Sequence, residues 1–467
     1  MADIISGLYY PESPYEFSVL GADILGQVYE QFLGRVIRLT PAHRAVVEEK
    51  PEVKKAGGVY YTPTYIVDYI VENTLGDWLQ GKTLNQTTSL RILDPACGSG
   101  SFLIAAYEYL LDWYLTEFGK TPEKFKQKVY RDKDGEWRLT SRERKRILLS
   151  HIFGVDVDPQ AVEVTKLSLL LKVLERESAD SLKKQLEMFH ERALPDLGNN
   201  IKNGNSLIGP DILTHEQFDL LSAPKRDAVN PFDWNEEFPD IMKSGGFTVV
   251  LGNPPYVNAW VMYETSPEIR DYLNESKEYR SADRHWDMYV PFLEKSFNLL
   301  RQQGKLSFII PFSYCIQKYA SASRKLLLEE FAIDSIADLR TVQVFNKVPV
   351  ITIIPVLTKK KPTLKHQIQV LVPGVGATPR HPGDITPSHK IAQTVFRDSN
   401  ELMWRLDLDP TSLAVSEAIN ESRCLVPRNR GALYHDLRRD ELWGKFFTAA
   451  PQRLRRSVEQ YRIVKRA

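Results

Sequence analysis

The stretch "LRILDPACGSGSFLIAAYEYLLDWYL" runs from Leu90 to Leu115. Its first six residues, Leu90 to Pro95, have the length and apolarity of a buried strand that ends on Asp94. Gly98 and Gly100 then flank Ser99, and an apolar segment of helical length follows from Ser101. Strand, glycine turn and helix make the first half of an α/β unit. Glycine permits close backbone approach and φ values that side chains exclude. Such a turn serves many nucleotides, so the rest of the chain must narrow the choice. No Walker-type lysine pattern is present, and "DPACGSG" lacks the third glycine of the dinucleotide fingerprint. The turn predicts a site for an adenosyl ligand without a pyrophosphate.

Outward from this unit, short apolar runs alternate with longer amphipathic ones. Strands are expected at His151–Val157, Asn200–Ile208, Phe247–Gly252, Lys305–Phe312, Ile333–Leu339 and Val348–Thr358. Helices are expected at Gln160–Glu175, Tyr289–Leu300 and Ser323–Phe331. Continuous apolar strands alternating with helices predict a mostly parallel sheet covered on both faces. Ligands of such sheets bind beyond the carboxyl ends of the strands, and the candidate residues fall at such ends.

"FGVDVDP" ends a strand on Asp156, where an acidic side chain grips a ribose diol in comparable sites. Asp158 reads instead as the N-cap of the next helix, with Pro159 in its first turn. Asn205, in "NGNS", serves either as a reader of an adenine edge or as an Asx turn. "TVVLGNPPYVNAW" (Thr248–Trp260) ends a strand in Gly252, Asn253, Pro254, Pro255 and Tyr256. Two prolines remove two N–H donors and fix φ. The loop they stiffen offers acceptors, with an amide on one side and a flat ring on the other. A planar molecule bearing an NH₂ group suits it.

The 467 residues suggest two or three folding units. Apolar content of 43% and charged content of 26% are those of an ordinary soluble protein. No run is long enough to span a membrane, and the N-terminus has no signal-peptide pattern. Cys97, Cys315 and Cys424 are scattered, with no metal-ligand spacing, which predicts a reducing, cytoplasmic setting. Net charge is only +1, so the easy global sign of nucleic-acid binding is absent. Basic clusters at Arg138–His151 and Arg453–Ala467 are local, and a solvated helix face explains each.

Taken in order, "DPACGSGSF", "GVDVDP", "GNSL" and "GNPPYV" resemble the amino-methyltransferases that modify adenine N6 in DNA. "GGVYYTPTYIVDYIV" upstream resembles the gamma-order class, and "DMYVPFLEKSFNLLRQQGKLSFIIP" and "VFNKVPVITIIPVL" resemble its later motifs. The resemblance covers roughly residues 57–360. With "LYYPESPYEFSVLGADILGQVYEQFLG" it is nearest to the methylase portion of type IIG restriction–modification enzymes and related phage-defence methylases. It implies a Rossmann-like, seven-stranded, mostly parallel methyltransferase sheet using S-adenosyl-L-methionine on double-stranded DNA. A restriction nuclease or specificity subunit is the implied partner. By resemblance, Thr62, Asp94, Ala96, Gly98, Asp156, Asn205 and Phe292 line the cofactor pocket. Asp94 lies near the methionine amino group and Phe292 beside the adenine. Asn253 and Pro254 accept the N–H groups of the target amine, and Tyr256 stacks on a flipped base with Phe345 as a second aromatic wall. Thr62 also reads as a helix cap, Tyr256 as a core aromatic and Phe345 as a loop anchor.

Three domains are expected. Residues 1–58 read as a helical N-terminal extension. Residues 59–360 read as the methyltransferase domain, with an insertion at about 116–150 that holds a hairpin turning at Asp134-Gly135. Residues 361–467, where proline and glycine increase, read as a linker and the start of, or a truncated, target-recognition region. Thr248 stands where many relatives carry Asp. No nuclease motif is seen upstream. Alternative activities are methylation of RNA or of protein glutamine, whose enzymes share "NPPY", and a non-catalytic DNA-binding subunit.

Overall fold

The computed structural model describes residues 35–39, 44–49, 62–132, 135–175, 194–214, 229–276, 278–282, 286–345, 350–374 and 379–407. Strands β1 (Arg35–Leu39) and β2 (Ala45–Glu49) pair antiparallel. This corrects the helical reading of that part of residues 1–58. The remainder of the N-terminal assignment lies outside the described residues.

Helix α1 (Thr64–Val71) leads through a wider turn toward β3 (Ile92–Asp94), and α2 (Ser101–Gly119) follows the glycine turn. The hairpin β4 (Val129–Arg131) and β5 (Trp137–Leu139) forms across Gly135 at φ +83°. Val129 and Leu139 are buried against the α2 core, so the hairpin is anchored rather than merely superficial. Then come α3 (Ser141–His151), β6 (Ile152–Asp156), α4 (Pro159–Leu174), β7 (Ile201–Asn203) and β8 (Phe247–Gly252). Helices α5 (Ala259–Thr265), α6 (Pro267–Glu275) and α7 (Tyr289–Leu299) precede β9 (Leu300–Phe308) and the short β10 (Ile310–Pro311). Helix α8 (Ser321–Glu330) and strands β11 (Ala332–Asp338), β12 (Thr352–Thr358), β13 (Gln367–Pro373) and β14 (Ile385–Ala392) complete the series.

The sheet has ten strands, in the order β14-β13-β11-β12-β9-β8-β3-β6-β7, with β10 paired to β12. Strands β7, β6, β3, β8 and β9 run parallel. β12 is antiparallel to both of its main neighbours, β9 and β11. These seven strands form the expected set. The sheet then continues beyond them, which corrects both the strand count and the boundary at residue 360. β13 adds parallel to β11, and β14 folds back on β13. The proline- and glycine-rich stretch is thus the β13–β14 connection, not an interdomain linker. Alternating hydrophobic residues, such as Ile368, Val370 and Ile391, supply a buried face that the composition shift obscured. Residues 408–467, with the basic cluster at Arg453–Ala467, lie outside the described residues.

Neighbouring strand residues serve opposite cores. Ile92 and Ile152 belong to the core beneath α1 to α4, whereas Leu93 and Phe153 belong to the one beneath α7 and α8. All six residues of β8 are buried, as a strand covered on both faces requires. The basic cluster at Arg138–His151 is largely engaged. Arg138 pairs with Asp132 at 2.9 Å and Glu136 at 2.7 Å, and Arg146 pairs with Glu143 at 2.6 Å. Arg144 donates to the carbonyls of Lys172 and Glu175. Among the described residues no helix is long and apolar enough to cross a membrane.

Candidate active site

The connections leave β3 in two directions: β6 and β7 lie on one side of it, β8 and β9 on the other. That reversal opens a crevice at the carboxyl ends of the central strands. A cavity of about 340 Å³ occupies it, within the size range of small-molecule sites. Thr62, Asp94, Ala96, Gly98, Asp156, Asn205, Phe292 and Asn253 all line it. Residues far apart in sequence are therefore brought to one crevice.

The glycine turn adopts the backbone its composition allows. Gly98 has φ +52° and Gly100 φ +87°, and a Cβ on Gly100 would lie 2.8 Å from Thr165 Cγ2. Gly98 N–H donates to Asp156 Oδ2 at 2.8 Å, and Thr165 Oγ1 donates to the Gly98 carbonyl at 2.7 Å. The turn is thus clamped from β6 and α4 before any ligand arrives. Asp158 caps α4 by accepting the Gln160 N–H at 2.9 Å, as its spacing before Pro159 predicts.

Two carboxyl groups face the crevice with different support. Burial pushes Asp94 up to about 8, against one backbone donor, Ala96 N–H at 3.0 Å. Burial also raises Asp156, to about 6, but Gly98 and Asp158 N–H groups each donate to one of its oxygens. Asp94 is therefore the group more in need of a cation, and Asp156 keeps lone pairs for hydroxyl donors. Asn205 satisfies the Asx-turn reading, since its Oδ1 accepts the Leu207 N–H at 3.2 Å.

At the end of β8, Asn253 Nδ2 donates to Thr62 Oγ1 at 3.1 Å. Its Oδ1 is buried and has no partner. Thr62 caps no helix: the position before α1 is Pro63, without a side-chain bond. Pro254 is buried in the same corner. Tyr256 is half-buried, and its hydroxyl donates to the Ile309 carbonyl at 2.9 Å. Phe345 is buried and meets Tyr256 at 6.1 Å between centroids with planes at 76°. The two rings form a right-angled corner, not the parallel slot that paired stacking walls require. Thr248 also keeps local order without an acid, because its hydroxyl accepts the Arg91 N–H at 3.1 Å.

Cys97, Ser101, Phe102, Leu207, Ile269 and Met288 also line the cavity and carry no site assignment from the sequence. The first four sit inside or beside the motifs and were legible from their neighbours. Ile269 is on α6 and carries no local signal. Met288 is delivered by a backbone bond, Met288 N–H to the Val257 carbonyl at 2.8 Å. Among the described residues no cluster of His, Cys, Asp and Glu could hold a metal.

Residues 150–345 match the model of the Eco57I restriction–modification methylase family. The type II restriction enzyme and methyltransferase RM.Eco57I of Escherichia coli is 31% identical over 76% of this chain and 33% of its own length. The adenine-specific methyltransferase PglX of Streptomyces coelicolor is 23% identical over 54% of this chain and 18% of its own. The type II methyltransferase M.BstVI of Geobacillus stearothermophilus is 25% identical over 62% of this chain and 39% of its own. The chain spans about a third of the RM.Eco57I relative. With its motif order, strand order and family match in agreement, this chain carries an Eco57I restriction–modification methylase domain.

Proposed function

We propose that this chain transfers a methyl group from S-adenosyl-L-methionine to the N6 amine of an adenine turned out of double-stranded DNA. One observation carries the reading. Asn253 Oδ1 is a buried acceptor without a partner, on the same cavity as the carboxyl of Asp94. A buried acceptor left unmade is costly, and an incoming N–H relieves that cost. The Asp94 carboxyl, raised by burial, gains from an ammonium group in the same way.

When bound, S-adenosyl-L-methionine supplies an electrophilic methyl group on a sulfonium. Asp94 would hold its amino group, Asp156 its ribose hydroxyls and Phe292 its adenine. Asn253 Oδ1 and the Pro254 carbonyl accept the two N–H groups of the target amine. Those bonds draw the nitrogen toward a pyramidal shape and aim its lone pair at the methyl group. The bound cofactor would supply its methyl group to that nitrogen and be left as a neutral thioether, and the nitrogen would give up one proton to water. Alignment supplies most of the advantage, since the leaving group is neutral. Tyr256 offers its face to the base, offsetting part of the few kcal/mol that unstacking costs. A restriction nuclease or specificity subunit would complete the system.

The test is transfer of tritiated methyl from the cofactor to unmethylated duplex DNA, with Asn253→Ala alongside. Label in adenine that disappears in the variant supports the reading. Label in RNA or in protein glutamine, or cofactor binding without any transfer, overturns it in favour of the other methyltransferases or a binding subunit.

A further inference from the structure

The Thr62 hydroxyl and the Asn253 amide meet across 191 residues of sequence at 3.1 Å. Thr62 is 5% exposed, and its side chain closes no helix turn. An asparagine amide has one donating end and one accepting end, and rotation about Cβ–Cγ exchanges them. A hydroxyl serves either end, so this bond alone permits both orientations. A target amine offers donors only, and it selects the orientation with Oδ1 toward the cavity. The Nδ2 end then needs an acceptor on the other side of the amide. Thr62 Oγ1 is that acceptor, and its β-branched side chain restricts χ1 and holds it in place.

We propose that Thr62 is a positioning residue, which fixes the Asn253 amide with its oxygen toward the reacting amine. The inference rests on the methyltransferase reading above. It assigns Thr62 a task beyond the cofactor contact that the family resemblance implies, because its hydroxyl is engaged with the reacting loop. It also ties α1 to β8: the segment before the glycine loop supplies the support for a group at the far end of a different strand.

Thr62→Val and Thr62→Ser test this in the whole protein. Valine keeps the shape and removes the acceptor; serine keeps the acceptor. Single-turnover methyl transfer to duplex DNA, with protein and cofactor in excess, reads the step that orientation governs. Calorimetry reads cofactor affinity. Thr62→Val should slow the single turnover by about 10²-fold, the usual scale for a misplaced reacting group. Because Thr62 also lines the cofactor cavity, the rate is read at saturating cofactor, where the loss should persist and so mark a transition-state contact rather than weaker binding. Thr62→Ser should recover most of the rate. A Thr62→Val protein at the parent rate overturns the inference, as does a rate loss explained by weaker cofactor binding, or a serine variant as slow as valine. Failure of the parent protein to methylate DNA would instead remove the methyltransferase reading, and this inference with it.

Discussion

Gly252 stands so close to Asp94 that a Cβ on it would lie 2.6 Å from Asp94 Oδ1. The last residue of β8 thus presses on the last residue of β3. One leads into the loop proposed to grip the target, and the other lines the pocket proposed for the cofactor. Only a residue without a side chain lets these strand ends meet, and its φ of +152° adds a second reason for glycine.

Gly252→Ala should therefore disturb both halves of the site. Neither the Asp94 carboxyl, held by Ala96 N–H, nor the backbone can move cheaply. A loss of roughly 1–3 kcal/mol is expected, as for other overpacked positions. Thermal unfolding reads the stability and calorimetry the weaker cofactor binding. Unchanged values for both would mean that the strand ends separate freely.

Asn253→Ala should abolish most methyl transfer and spare cofactor binding. Loss of one preorganised polar contact to the reacting group costs about 10²–10³-fold in rate. The cavity walls that face the cofactor remain intact. Rapid-quench transfer and cofactor titration on the same preparation separate the two effects.

The Asp94 carboxyl gives a pH signature. In the free folded protein burial raises it from 3.8 to about 8. Within that window the folded chain holds a proton that the unfolded chain has lost. Its contribution to stability is full below about 4 and is lost as pH rises through about 8. A cationic ligand favours the carboxylate, so binding should release a proton below pH 8, and affinity should rise with pH up to that value. Asp94→Asn should flatten the melting temperature against pH and eliminate cofactor binding. Calorimetry in buffers of different ionisation enthalpy counts the released proton.

Tyr256→Phe and Tyr256→Ala should part company. Phenylalanine keeps the face and loses the hydroxyl's bond to the Ile309 carbonyl, a net effect of about 1 kcal/mol. Alanine removes the stacking surface, worth about 1–3 kcal/mol per base, and should raise the KM for DNA more than it lowers the cofactor affinity. Equal losses in both variants would show that the hydroxyl tether, not the ring face, matters.

Much of this architecture was legible along the chain. The apolar runs ending in Asp94, Asp156 and Gly252 read as strands because parallel strands buried on both faces need unbroken hydrophobic residues. The cap at Asp158 and the hairpin around Gly135 follow from local backbone chemistry. β13 and β14 were missed because their prolines and glycines dominate the composition, while burial of Ile368, Val370 and Ile391 depends on what packs over them. β1 and β2 are hidden in the sequence because the apolar spacing just upstream has a helical period.

The sequence by itself determined which chemical groups are available: an amide before two prolines, carboxylates at strand ends and glycines where the backbone turns. Those are covalent and local facts, fixed by φ limits and donor counts. The tertiary structure decided which groups meet. Only the folded sheet joins Thr62 to Asn253, sets Tyr256 at a steep angle to Phe345 and buries Asp94 at the wall of the crevice. Contact between residues distant in sequence depends on strand order and on the packing of two cores, and neither is encoded in any single segment.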